Sequence, residues 1–430
     1  MNNIDNNAIQ WSWPVVDLDI RHGQRRSIPI PSALENVEYA LKQLGIKVNY
    51  NQMTKEIELT GGKLLAHAPL DVGITQIRSQ LTTHHLRISK TETWDAVAAI
   101  AAKHLYSPVC EYLQKCHQHW DEKAHIDDLF RLLQLDPKVQ QNPEFCKVLI
   151  EKWLISAVKL AFNTGDTAAQ GVLILVGPQG IGKTRFLYRL LPYSDWGADG
   201  ITLDPSSRDD TMRVMRFWIV ELGEVGNTIR KERMDALKQY ITQKQDVFRK
   251  PYARSAEMIP RRTIFLGTVN ELPGEGFLRD LTGNRRYWPI AISQVLDLPL
   301  DRDQLWGYIM HRAFDCQAPH YLNTAELVQL ESMNTQHLLL STEERLLLDS
   351  LDWNAPMDHW HRMTATDLCD EINIGPQNNR KVGRALQNIA RRDSRLKTPS
   401  NHHHREYLVP PTKTPSWASP DRTEESGTAP

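Results

Sequence analysis

The 430-residue sequence is short of cysteine, of long apolar runs and of net charge, and each shortage removes a class of protein. Its five cysteines (Cys110, Cys116, Cys146, Cys316 and Cys369) are scattered, odd in number and without a CxxC pair. That pattern excludes a disulfide framework or a cysteine-based zinc site and suits a reducing compartment. The longest uninterrupted run of Val, Leu and Ile is Val172–Val176, far below the roughly 20 residues that span a bilayer. With 51 basic and 52 acidic side chains the formal net charge is −1. A globally basic coat for nucleic acid is excluded, and any such contact is confined to local patches. Met1–Gln10 is polar and rich in Asn, which predicts no secretory leader. Together these shortages predict a soluble, cytoplasmic chain with no membrane partner.

What remains is ordinary for a globular protein, with 41% apolar and 24% charged residues. At roughly 100–200 residues per domain it holds two to four domains. Residues 1–92 mix short strands (Lys47–Tyr50, Glu56–Leu59) with a helix over Ala33–Leu44, and turns at Asn51 and Gly61-Gly62. Asp17-x-Asp19 near His22 admits a metal-binding reading, with a solvated turn as the plainer one. Residues 93–165 carry helical periodicity, notably Val97–Leu105 and Val148–Phe162. There Cys110, Cys116, His117 and His119 are close in sequence, but their spacing fits no common zinc pattern and ordinary helix positions are the better reading. Residues 166–320 alternate strand and helix signals, as an α/β nucleotide-binding core does. A C-terminal module occupies 321–410, and the Pro, Ser, Thr and Glu of 411–430 predict a disordered tail. No internal repeat is visible.

Chemistry concentrates in Gly177-Pro-Gln-Gly180-Ile-Gly182-Lys183-Thr184, a full G-x-x-x-x-G-K-T loop. It lies between the apolar run Val172–Val176 and the helix-like Arg185–Leu191, the strand–loop–helix setting a phosphate loop requires. Glycines let the backbone N–H groups of Gly177, Gln179, Gly180, Ile181, Gly182, Lys183, Thr184 and Arg185 curl around a triphosphate at a helix N-terminus. Lys183 would reach the β- and γ-phosphates of ATP, and the Thr184 hydroxyl would ligate Mg²⁺. Such a site needs a carboxylate on a neighbouring strand. Phe217-Trp-Ile-Val220 runs into Glu221-Leu-Gly-Glu224, which offers Glu221 for the metal and Glu224 beside it, unless both are simply solvated at a strand end. A second strand-like run, Thr263–Val269, ends in Asn270, an amide suited to sensing the γ-phosphate. Thr282-Gly-Asn-Arg285-Arg286 offers adjacent arginines for a finger acting across a subunit interface, or merely two surface arginines.

Between these strands, residues 227–262 hold ten basic and four acidic side chains, including Lys238, Lys244, Arg249, Lys250, Arg261 and Arg262, with Phe248 and Tyr252 interleaved. A basic segment with aromatics can follow single-stranded DNA by phosphate contact and base stacking. A solvated face is the alternative. In the C-terminal module, Thr364–Ile372 and Asn378–Ala390 read as two helices around Gly375-Pro376, with a wing over Leu396–Val409. Residues 371–410 contain eight basic and three acidic side chains plus His402–His404. That suits a winged helix on phosphates or, equally, a helical protein-interaction module.

Taken together, these motifs resemble the virulence-associated protein E family, a branch of superfamily-3-helicase-like P-loop ATPases of phages and mobile elements. The resemblance rests on Gly177–Thr184, Trp218–Glu224, Asp246-Val-Phe-Arg-Lys-Pro-Tyr252, Pro260-Arg-Arg262, Gly267-Thr-Val-Asn270 and Phe277–Pro289, with lead-in residues Tyr106–Val109, Tyr112-Leu113 and Trp120-Asp121. It departs at Glu122 and His125, where the family usually has Gly and Arg. It implies an AAA+-like core of superfamily 3 type and a ring-forming homo-oligomer, a hexamer by analogy. It also implies a DNA helicase for element replication, with the Lys238 and Arg249 region as a hairpin facing DNA in the pore. Two other readings stay open. One is a regulatory or host-interfering ATPase acting on a replication or host protein, and the other is a small-molecule kinase, which lacks an obvious lid.

Overall fold

The structure is a computed structural model. It describes residues 11–21, 24–63, 68–223, 231–248, 257–270, 276–278, 284–393, 395–396 and 406–413. Three groups of elements follow one another along the chain, the first and third each around one buried apolar cluster and the second around two.

The first group starts with an antiparallel ribbon of β1 (Val16–Arg21) and β2 (Gln24–Pro29). Then come α1 (Leu34–Gln43), the hairpin of β3 (Ile46–Asn51) and β4 (Glu56–Gly61), α2 (Leu70–Thr83) and α3 (Lys90–Lys103). A short strand, β5 (Leu105–Tyr106), adds to β3 in parallel, giving the order β4-β3-β5. Ser89 starts α3 with a capping box, its hydroxyl accepting from the Glu92 N–H while the Glu92 carboxylate accepts from the Ser89 N–H. Val97, Ile100 and Ala101 of α3 are buried with Val37, Ile74 and Ile77. A division at 92/93 therefore cuts through α3, which closes the N-terminal core rather than opening the next one. Asp17 and Asp19 lie on a strand, not in a turn, and His22 falls outside the described residues.

The second group is a mixed α/β unit. Helices α4 (Pro108–Gln118) and α6 (Pro143–Ala161) each begin with a polar N-cap followed by proline, Ser107-Pro108 and Asn142-Pro143. Between them are α5 (Ile126–Phe130) and β6 (Leu133–Leu135). Then follow β7 (Val172–Val176), α7 (Lys183–Leu190), β8 (Gly197–Ile201), α8 (Arg208–Val214), β9 (Ile219–Leu222), α9 (Lys231–Ile241), β10 (Gln245–Phe248), β11 (Glu257–Pro260), β12 (Ile264–Val269) and β13 (Tyr287–Val295). The sheet order is β6-β13-β7-β12-β9-β8, parallel except for β6 at one edge. Burial on both faces makes its strands continuous apolar runs, as in β7 and β12.

Alternation along each strand feeds two cores. Leu173, Leu175, Ile219, Leu266 and Ile290 face the cluster built by α4, α6, α7 and α10 (Arg302–Met310). Val172, Ile174, Val220 and Phe265 face the one containing Leu237 and Ile241 of α9. The Trp153 indole N–H donates to the Phe265 carbonyl at 2.8 Å, and that of Trp218 to the Ala157 carbonyl at 3.1 Å, fixing α6 across the sheet. The helical lead-in is thus one side of this unit rather than a domain of its own. Nor does the unit stop at 320. Leu330 and Met333 of α11 (Thr324–Gln336) sit in the first core, and Leu338 bridges to Leu278 in the second.

The C-terminal group packs α12 (Thr342–Ser350), α13 (Ala365–Glu371) and α14 (Asn379–Arg392) with β14 (His361–Thr364) paired antiparallel to β15 (Glu406–Val409). A helix–turn–helix is present, with Leu368, Val382 and Leu386 inside. Pro411–Lys413, expected in the tail, is held: Thr412 bridges to Leu351, and the Lys413 N–H reaches the Ser350 carbonyl at 2.8 Å. Among the described residues no helix is long and apolar enough to cross a membrane.

Candidate functional site

Strands β7, β9 and β12 end side by side, and their last residues supply most of the site. The loop 177–182 leaves β7 and turns into α7. Gly182 takes φ 95°, in the left-handed region that a residue with Cβ adopts at a cost. A Cβ on Gly177 would lie 2.2 Å from the Ile292 carbonyl oxygen, so only glycine lets the loop pass β13 this closely. Gln179 and Gly180 form the exposed crest. The Ile181 side chain is packed against the first core, and the Arg185 guanidinium donates to the Val295 carbonyl. These two side chains therefore fix the loop, leaving only their backbone to face a ligand.

Lys183 is buried at the base of the loop. Its ammonium donates to the Gly177 and Pro178 carbonyls, both at 2.7 Å, and to Asn270 Oδ1 at 2.8 Å. Burial pushes its pKa down, with Glu221 opposing. The Glu221 carboxylate is 3% exposed. Its Oε1 accepts from Thr184 Oγ1 at 3.1 Å and from Thr268 Oγ1 at 2.8 Å, while buried Oε2 has no hydrogen-bond partner. Burial raises the Glu221 pKa, against the pull of both hydroxyls and of Lys183, and Asp199 adds to the rise.

A half-satisfied buried carboxylate hydrogen-bonded to a neighbouring hydroxyl is an oxygen donor set suited to a hydrated hard cation, which takes oxygen ligands. Thr184 and Glu221 fit Mg²⁺ on that ground. The unpartnered oxygen also costs stability, because the folded carboxyl holds its proton to higher pH than the unfolded one. The fold's stability then falls as pH rises from the ordinary carboxylate range through the raised value. Glu221→Gln removes the charge at constant shape. It should raise the midpoint of thermal unfolding at neutral pH, by about 1 kcal/mol of stability, and flatten the pH dependence above the ordinary carboxylate range. A variant less stable than the wild type at pH 7 would show that Glu221 is not a strained site.

Thr268 and Asp199 complete the site, and neither stands out in the sequence. Thr268 lies two residues before Asn270, hence on the same face of β12. That alternation is the signal that could have found it. Asp199, in the middle of β8, accepts from the Tyr188 hydroxyl, a pairing with no local sequence signal. Glu224 falls outside the described residues.

Arg285 and Arg286 sit elsewhere. Arg285 is exposed, and Arg286 is half-buried with its Nε buried and without a partner. They precede Tyr287, which pairs with Val172 at the start of β7, whereas the loop follows Val176. The length of the strand, about 16 Å at 3.3 Å per residue, separates them from their own chain's loop.

The basic segment also divides. Lys238 is half-buried in the last turn of α9, and Lys244 is exposed before β10. β10 and β11 do form a hairpin, with Val247 63% and Met258 69% exposed as cross-strand partners. Arg249, Lys250 and Tyr252 fall outside the described residues. Arg261 and Arg262 point inward. Arg261 is 1% exposed and pairs with buried Asp246, and Arg262 donates to the Ala161 carbonyl at 2.6 Å. Arg261 and Arg262 therefore carry structure, and the charge available to a ligand is smaller than the sequence count.

The chain thus carries a mixed α/β unit with a central parallel sheet, a glycine loop, and a buried lysine and a buried carboxylate near its strand ends. The model of the virulence-associated protein E-like domain matches residues 113–338, more than half of the chain, and the chain belongs to that family. No curated protein matches the sequence. Among solved structures, it is similar to the apo C-terminal region of NrS-1. One such structure shares 14% identity, with 88% of this chain and 99% of that one covered at a TM-score of 0.38. An A-form structure of the same region shares 11%, with 89% and 100% covered at 0.40.

Proposed function

We propose that the chain is a P-loop ATPase of AAA+-like, superfamily 3 type that couples ATP hydrolysis to movement on DNA in replication of a mobile element. The observation that carries this reading is the joined set Lys183, Thr184, Glu221, Thr268 and Asn270, ending in a buried carboxylate oxygen with no partner. The sheet order supports it, since β12 with Asn270 lies between the loop strand and the Glu221 strand.

The loop N–H groups bind the β- and γ-phosphates, and Lys183 turns from the Gly177 and Pro178 carbonyls toward them. Asn270, now held by the Lys183 ammonium, is released to sense the γ-phosphate. Thr184, and Glu221 through water, would hold Mg²⁺, which would supply positive charge beside the phosphates. Glu221 and Glu224 supply the carboxylates that orient the attacking water. Arg285 and Arg286 lie too far from their own loop to act there, which supports a finger reaching the neighbouring subunit of a ring, a hexamer in this reading. Arg286 Nε, unpartnered, is the better placed donor.

DNA is the proposed track, contacted by Lys238, Lys244, Arg249, Lys250 and Tyr252 around the β10–β11 hairpin. The test is ATP turnover of the full chain with and without single-stranded DNA. Stimulation is expected, whereas turnover indifferent to DNA would favour an ATPase that acts on a protein partner. Lys238→Ala with Arg249→Ala should weaken binding to all sequences alike and leave basal turnover intact. The log–log salt slope should flatten by about 0.7 per lost contact. An unchanged slope would remove the hairpin from the DNA path.

A further inference from the structure

Of the four residues Cys110, Cys116, His117 and His119, three are accounted for locally. Cys110 Sγ donates to the Ala161 carbonyl, Cys116 is buried in the first core, and His119 Nδ1 faces the Lys115 carbonyl at 2.8 Å. His117 is different. It reaches from α4 to the turn that continues α10, where His311–Asp315 form a π-helix and the Cys316 N–H bonds back to the His311 carbonyl at 3.0 Å. Such π turns are frequent at functional positions. His117 Nε2 and His311 Nδ1 both lie 2.9 Å from one oxygen, Oδ2 of Asp315. The donor atoms of the three residues all fall within 4.8 Å of one another.

We propose that His117, His311 and Asp315 bind one divalent ion of the zinc class, separate from the nucleotide site. Two imidazole nitrogens and one carboxylate oxygen suit zinc and its neighbours rather than Mg²⁺ or Ca²⁺, which take oxygen ligands. In a tetrahedral zinc site with bonds near 2.0–2.1 Å, neighbouring ligand atoms stand roughly 3.3 Å apart. The two nitrogen–oxygen separations open by a few tenths of an ångström to reach that value. The imidazoles close by about 1.5 Å at most.

The ring of His311 is already oriented for this. Trp120 stacks on it at a centroid distance of 4.5 Å, and its Nε2 lies 3.2 Å from Cys316 Sγ, an outer partner that leaves Nδ1 for the metal. The three side chains are 31%, 33% and 47% exposed, so the ion has a path in and a water completes the fourth position. The ligands come from α4 and from the end of α10, helices that pack side by side, so the ion clasps them.

The experiment is calorimetric titration of zinc into EDTA-stripped full-length protein, beside His117→Ala and Asp315→Asn. All three chains carry alanine at His402, His403 and His404 to remove that histidine run. The parent is expected to bind one zinc equivalent that neither variant binds, with Mg²⁺ in excess leaving the titration unchanged. Zinc should raise the thermal midpoint of the parent alone. Equal zinc stoichiometry in all three chains overturns the proposal and leaves Asp315 as the acceptor of two imidazole N–H bonds. Should either variant misfold, cobalt(II) in the parent decides. Visible bands of tetrahedral intensity, bleached by one equivalent of zinc, support the site, and their absence overturns it.

Discussion

Lys183→Ala should lower ATP turnover by about 10²–10³-fold or more while leaving the fold intact. The magnitude follows from losing one preorganised charged donor at developing charge in a dry site. Lys183 is the donor in question because the loop delivers it. Glycines at 177 and 182 allow the tight turn, and the ammonium is buried at its base against two carbonyls and Asn270 Oδ1. The Ala variant also leaves those three acceptors without their common donor, but Pro178 and Asn270 are exposed and only the Gly177 carbonyl is left buried. Little stability should therefore be lost. Lys183→Arg is the informative companion, since a guanidinium keeps the charge but not the compact point donor. It too should fall by at least about tenfold. The measurement is steady-state phosphate release under saturating ATP and Mg²⁺, alongside thermal unfolding. Wild-type turnover in Lys183→Ala would remove the loop from the chemistry and the proposed function with it.

The parts of this site legible in the sequence are those that the backbone imposes locally. The loop 177–184 announces itself through glycine spacing. Glu221 and Asn270 announce themselves as polar residues that end apolar runs, and each contacts the start of α7, Asn270 through Lys183 and Glu221 through Thr184. What the sequence hides is direction. Alternation puts Thr268 on the face of Asn270, but its partner is hidden until β12 is placed against β9, where its hydroxyl meets Glu221. Counting charge in 227–262 treats ten basic side chains alike, although Arg261 and Arg262 turn inward while Lys244 faces solvent. Domain edges fail for the same reason. Helical periodicity marks α3 as a helix with one apolar face but not which core it covers, and it covers the N-terminal one. Likewise α11 looks like the start of a new module yet packs beneath β13.

Arg261→Ala should destabilise the chain by about 3–5 kcal/mol, because it leaves a buried carboxylate alone. Arg261 Nε donates to both Asp246 oxygens, at 3.2 and 3.1 Å, and Nη2 reaches the same carboxylate. The guanidinium also donates to the Tyr240 carbonyl and lies over the Tyr240 ring, 3.9 Å from its centroid. Asp246 is 5% exposed and cannot recover water when its partner is removed. The pair ties β10 to β11 and both to the end of α9, with Asn163 Nδ2 bridging the Lys244 and Arg261 carbonyls just beneath. Its loss should therefore loosen the hairpin before the sheet. Replacing both partners with apolar groups of similar volume, Arg261→Met with Asp246→Leu, removes the stranded charge and should recover most of the loss. Urea unfolding followed by tryptophan fluorescence, with hydrogen exchange in 240–248 and 257–262, measures both effects. The rival assignment treats Arg261 as a phosphate contact. It requires Arg261→Ala to keep its stability and to weaken DNA binding with a flatter salt slope, and the double variant to bind no better. A stability loss below about 1 kcal/mol together with that salt effect would return Arg261 to the DNA path.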